Sequence, residues 1–223
     1  YPQSKKPVGV NWPDEGTSQE QALAANGNLG LLLGPKSDVM DVDLDCTEAK
    51  EMADLILPKP FAKFDRGTSD SGHYLYRATT CGPTNKVSGS GAKSTLVELR
   101  GDGSQTMIPP SVHPNGSHLR FTDINQDAPE VEYADLLKSV SLLAACAEVA
   151  QLWVSGRRHE LALSFSGLCL KQNVNPQLLI NIIQRICQTT GDRDEQDRMN
   201  CVRTSVGKPH DELRGYNGLV DCI

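Results

Sequence analysis

Apolar residues along this chain fall into two textures that meet near residue 132. Before that point they come in short runs broken by Gly, Pro, Asn and Ser, the pattern of strands joined by turns. The runs at residues 28–33, 39–44, 73–77, 96–100 and 105–108 predict strands. Residues 18–25 and 47–56 predict helices, the first ending at Asn26-Gly27 and the second before Pro58. After a polar break at residues 123–130 the period lengthens. Leu136, Leu137, Val140, Leu143, Ala144, Val149 and Leu152 recur at steps of three and four, which predicts a helix over residues 133–154. Residues 160–170, 176–187 and 195–206 continue in that style between turn residues such as Ser155-Gly156 and Thr190-Gly191. The expected fold class is therefore α+β, with a mixed core over residues 1–132 followed by a small all-α helical bundle over residues 133–223.

Composition narrows the setting. The 223 residues contain no apolar run of transmembrane length, and Tyr1 to Pro7 read as the interior of a longer chain. The seven cysteines are an odd number with no CxxC pair, so neither a disulfide framework nor zinc is expected. A reducing, cytoplasmic location follows, with thiols packing as small apolar groups. The net charge of −6 argues against coating nucleic acid by bulk attraction. Residues 1–132 hold 12 Lys/Arg and 18 Asp/Glu (12 − 18 = −6), whereas residues 133–223 hold 10 of each. The acidic half is the half in which a carboxylate metal site would sit, although solvated surface charge has the same signature.

The segment Asp38-Val39-Met40-Asp41-Val42-Asp43-Leu44-Asp45 carries the most chemistry. Alternate side chains of a strand share a face, so Asp41 and Asp43 project together, away from Val42 and Leu44. Two neighbouring carboxylates repel each other, and Mg²⁺ or Mn²⁺ relieves that repulsion because both prefer hard oxygen ligands. The competing reading is the polar face of an edge strand. Asp45 shares that face, but with Glu48 it also forms a D-x-x-E pair that predicts a helix cap.

Three further segments could complete such a site. Ser71-Gly72-His73 places a hydroxyl and an imidazole at the mouth of a strand, with a Gly that lets backbone amides approach an anion. Glu98 and Arg100 share one strand face, as a third ligand beside a phosphate-binding cation or as a plain surface ion pair. Pro109-Pro110-Ser111-Val112-His113 forms a stiff turn that presents Ser111 and His113 inward, or is an ordinary turn.

Taken in order, these segments resemble the bifunctional primase-polymerase family of the archaeo-eukaryotic primase superfamily. Lys5-Lys6-Pro7 with Trp12-Pro13 is similar to the family's opening segment, and residues 28–37 leading into Asp41-Val42-Asp43 are similar to its first motif. Ser71-Gly72-His73 resembles its S-x-H motif, Glu98 stands at its third acidic position, and residues 109–113 resemble its PPS-x-H loop. The resemblance implies an RRM-like catalytic core in which Asp41, Asp43 and Glu98 hold two divalent ions, Mg²⁺ or Mn²⁺. It also implies that Ser71 and His73 bind the incoming nucleoside triphosphate, NTP or dNTP, and face and chemistry add Arg100, Ser111 and His113. Glu98 departs from the Asp often found at its position, which lengthens its reach, and the loop at residues 86–93 has no assigned role.

The helical part resembles, more loosely, the bundle that follows such cores. Arg157 and Arg158, at a helix start, are its candidate contacts to template phosphates, or solvated charge at a helix end. The expected activity is template-directed nucleotidyl transfer on DNA, in replication of a mobile element, phage or plasmid. A metal-dependent nuclease or phosphoesterase, and a non-catalytic replication initiator that binds DNA through the bundle, are the alternatives. The chain has no G-x-x-x-x-G-K-[ST] motif, so a helicase would act in trans or from a missing part of the chain. No membrane partner is expected.

Overall fold

The computed structural model describes residues 5–7, 11–12, 16–24, 27–67, 70–90 and 95–222. Pro13 of the opening segment, Ala25 and Asn26 at the end of the first expected helix, Ser69, and Lys93 of the unassigned loop lie outside the described residues.

Strand β2 (Val39–Leu44) organises the molecule. Its Met40, Val42 and Leu44 are wholly buried on one face, as the alternation requires, and its carboxylates project from the other. It lies inside a sheet of order β5-β6-β2-β4-β3-β8, between β4 (Gly72–Thr80) and β6 (Thr95–Arg100), with all these pairs antiparallel. The edge-strand alternative for Asp41 and Asp43 therefore does not hold: β2 is central, and its acids are inside the protein.

The flanks of the sheet are β3 (Ala62–Asp65), β5 (Asn85–Ser88) and β8 (Arg120–Ile124), and β9 (Val131–Glu132) adds in parallel to the end of β4. None of these four was expected from the pattern. β8 is exposed at every position and β5 nearly so, which leaves no buried side to impose alternation. A separate antiparallel ribbon pairs β1 (Leu29–Leu32) with β7 (Gln105–Ile108).

Helices cover the back of the sheet. A short α1 (Gln19–Ala24) precedes β1. α2 (Thr47–Ile56) buries Ala49, Met52, Ala53 and Ile56, and α3 (Tyr133–Gln151) buries Leu136, Val140, Leu143 and Ala147. Both sets are spaced to line one helix side. α4 (Arg158–Lys171), α5 (Pro176–Thr190) and α6 (Glu195–Ser205) complete the bundle, followed by a short α7 (Tyr216–Val220) that the periodicity did not reveal. α5 is closed at both ends: Asn175 accepts from Gln177 N and Leu178 N, and Gly191 takes the left-handed conformation. Among the described residues, no helix is long and apolar enough to cross a membrane.

The architecture is α+β, as expected. One continuous hydrophobic cluster runs from Val42, Tyr76 and Leu99 on the sheet through Met52 and Val140 to Phe165 and Ile183 in the bundle. A smaller cluster of Ala62, Phe64, Leu75 and Leu119, flanked by Leu31, Met107 and Ile108, packs on the opposite, front face. The front face is where the candidate chemistry lies.

Candidate functional site

Register brings the predicted acids together. Asp43 of β2 stands opposite Glu98 on β6 and His73 on β4, and Asp41 stands opposite Arg100 and Leu75. Directly opposed residues share a face, so Asp41, Asp43, His73, Glu98 and Arg100 form one patch. Asp41 is fully buried and Asp43 is 5% exposed. Isolated ionised carboxylates are too costly to bury, and here each has a cationic neighbour. His73 Nδ1 lies 2.9 Å from Asp41 Oδ2, and Nε2 lies 3.5 Å from Asp43 Oδ1. The Arg100 guanidinium pairs with Asp43 through Nη2 and donates to Glu98 Oε2 from Nε at 3.0 Å. Phe64, the β3 partner of His73, stacks on the imidazole with centroids 4.5 Å apart and planes 9° apart, which fixes the ring.

The balance of charge remains incomplete. Asp41 Oδ1 and Thr106 Oγ1 of β7 are both buried without a well-formed hydrogen bond. Burial pushes the Asp43 carboxyl up to about 6, despite His73 and Arg100. Burial also acts to raise Asp41, but His73 and Arg100 outweigh it and hold that carboxyl below its ordinary 3.8. His73 answers in kind: burial works against its charge, yet Asp41 and Asp43 raise it above its usual 6.5. A buried carboxylate oxygen without a well-formed hydrogen bond, beside an aspartate whose ionisation burial opposes, makes a site that a further positive charge would complete.

Asp45 is the residue that the sequence placed wrongly. The expected cap does not form; the N-cap of α2 is Cys46, with no side-chain hydrogen bond. Asp43, Asp45 and Glu98 instead present ligand atoms within 4.8 Å of one another. An all-oxygen set of this kind suits Mg²⁺ or Mn²⁺, so these three residues fit a divalent ion, with Asp45 at the exposed rim; the expected ligand Asp41 is not among the three and stands two residues before Asp43 on the same face.

The hydroxyl and imidazole candidates gather around a side chain that the sequence did not single out. Arg66, just past β3, donates from Nη2 to Ser71 Oγ at 2.9 Å, and its Nη1 lies 3.4 Å from His113 Nε2. It thus joins the S-x-H segment to the proline loop, whose His113 lies 47 positions after Arg66. A lone Arg at the end of an unpredicted strand carries no spacing signal, and only the approach to Ser71 could have flagged it. Ser111 is occupied differently. Its hydroxyl accepts from Leu29 N at 2.8 Å and reaches Leu29 O at 3.3 Å, which pins the loop to β1.

A profile of the bifunctional DNA primase/polymerase N-terminal domain, Prim-Pol, matches residues 1–134. The chain belongs to the Prim-Pol family. A comparison with curated proteins finds no match. Membership supports primase or polymerase nucleotidyl transfer in general, with DNA and nucleotides as substrates. The profile covers the sheet and ends at the start of α3, so it says nothing about the bundle. There, Arg158 donates to Trp153 O from Nε and pairs with Asp192, a carboxylate also bound by Trp153 Nε1 and Arg198. Arg157 reaches Cys222 O at 2.9 Å. A phosphate contact by either arginine of this Prim-Pol chain would compete with these bonds.

Proposed function

We propose that this Prim-Pol chain carries out template-directed nucleotidyl transfer on DNA by a two-metal mechanism. The resemblance points to replication of a mobile element, phage or plasmid as its setting. Asp41, Asp43 and Glu98 hold the divalent ions, and Asp45 adds a carboxylate at the rim. When bound, the ions acidify the attacking 3′-hydroxyl and neutralise the pyrophosphate that leaves. His73, set by its stack on Phe64 and its bond to Asp41, would stand beside the ions as a basic contact to the triphosphate. Arg100, which pairs with Asp43 and Glu98, would be the cation nearest the phosphates once ions neutralised those acids. Arg66 with Ser71 and His113 forms the second basic contact to the nucleotide.

The observation that carries this reading is the pair of buried acids on a central strand, with Asp43 directly opposite Glu98. Ionised carboxylates are costly to bury, and His73 and Arg100 offset only part of that cost at Asp43. The test is primer extension with Mg²⁺ or Mn²⁺, comparing the wild type with the double variant Asp41→Ala/Asp43→Ala. The variant should keep the native circular dichroism spectrum and lose incorporation by at least about 10³-fold, the scale of losing electrostatic stabilisation of transferred charge. Extension at the wild-type rate would refute the assignment, and shortening of labelled DNA without nucleotides would identify a nuclease instead.

A further inference from the structure

The helical part holds a second group of metal-ligating side chains, outside everything the proposed reaction uses. His159 stands on α4, and Asp197 and Cys201 stand one turn apart on α6, so three donors face one another across the helix pair. His159 Nδ1 lies 2.8 Å from Asp197 Oδ2 and 3.8 Å from Cys201 Sγ, and the three ligand atoms fall within 4.8 Å of one another. Cys201 is 3% exposed and forms the floor, whereas the His159 and Asp197 side chains are about half exposed and form an open mouth.

We propose that His159, Asp197 and Cys201 bind a Zn²⁺ ion that clamps α4 to α6. The donor set decides the metal. An imidazole, a carboxylate and a thiol together suit a borderline-soft ion, whereas Mg²⁺ has little use for sulfur. Ligands at about 2.0–2.3 Å from a tetrahedral Zn²⁺ lie roughly 3.3–3.7 Å apart. The Cys201–His159 separation nearly meets that spacing, and the His159–Asp197 hydrogen bond has to open by about half an ångström to reach it. On binding, the Cys201 thiol gives its proton to solvent as the sulfur–zinc bond forms. The mouth leaves the fourth position to water. Arg198 pairs with the same Asp197 carboxylate and competes for it, which sets a moderate affinity. No CxxC scan could reveal this arrangement, because its ligands are an Asp and a Cys one helical turn apart and a His that precedes Asp197 by 38 positions.

Cobalt provides the test, because a thiolate bound to Co²⁺ absorbs in the near ultraviolet and an all-oxygen site does not. Co²⁺ is titrated into the full chain under reducing conditions, and Zn²⁺ is then added. The wild type and the variant Asp41→Asn/Asp43→Asn should both develop the thiolate band, and Zn²⁺ should abolish it. Cys201→Ser and His159→Ala should lose the band and weaken Zn²⁺ binding by more than about tenfold. His159 is half exposed, so His159→Ala keeps its fold and decides the matter even where Cys201→Ser does not. No band in the wild type, or a band that survives His159→Ala, would overturn the site. A band that depends on Asp41 and Asp43 but not on His159 would place the thiolate-bound cobalt elsewhere and overturn the site equally.

Discussion

Replacing Asp43 with Asn should separate function from stability, because the two pull on this residue in opposite directions. In the metal-free protein, burial lifts the Asp43 carboxyl from an ordinary 3.8 to about 6. The folded state therefore holds the proton more tightly than the unfolded chain does. Stability then falls as pH rises from about 4 to about 6, and the full penalty is present above that range. At about 1.4 kcal/mol per tenfold, the difference is roughly 3 kcal/mol. Asn has nearly the same shape and no charge to bury, so it removes this cost. The attraction of Arg100 is already contained in that raised value, and Arg100 keeps its 3.0 Å bond to Glu98 in the variant. The expectation at pH 7.5 in EDTA is a gain of about 1–3 kcal/mol. In a chain of this size, that is a rise in melting temperature of about 2–12 °C. Primer extension should meanwhile fall by at least about 10³-fold. A melting temperature that drops by a similar amount would refute the reasoning, since Asp43 would then be an ordinary structural partner of Arg100.

Two further outcomes follow from the same geometry. Arg66→Ala should raise the nucleotide KM by about 10–100-fold and leave kcat within a few fold, as steady-state incorporation would show, with Arg66→Lys recovering part of the loss; an unchanged KM would remove Arg66 from the nucleotide site. Because Asp43 keeps its proton up to about pH 6, Mn²⁺ affinity should rise about tenfold per pH unit below that point and level off above it. Electron paramagnetic resonance of free Mn²⁺ would show this, and a pH-independent affinity would contradict it.

Much of the site was legible because strand alternation is a strong local signal. Met40, Val42 and Leu44 against Asp41 and Asp43 defined β2 and its faces, and the same argument paired Glu98 with Arg100 on β6. Local pattern does not encode which strands become neighbours. β3, whose Phe64 orients His73 and which leads into Arg66, is four residues long and passed unnoticed. Asp45 was misread because a D-x-x-E spacing beside a helix start has the form of a cap, whereas the backbone hydrogen bond from Asp45 N to Leu96 O prolongs the pairing of β2 with β6. The edge strands β5 and β8 face solvent and leave no periodicity to read. Side-chain partners were equally out of reach. Nothing in the run around Arg158 announces that Asp192, far along the chain, holds its guanidinium.

Crystallographic anomalous scattering from the chain soaked with Mn²⁺ and a non-hydrolysable nucleoside triphosphate tests the central claim most directly. The account predicts manganese density on the front face of β2, within about 2.1–2.3 Å of carboxylate oxygens from Asp41, Asp43 and Glu98. The phosphates should lie toward His73 and Arg66. Density confined to other surfaces, with Arg100 still locked between Asp43 and Glu98, would contradict it.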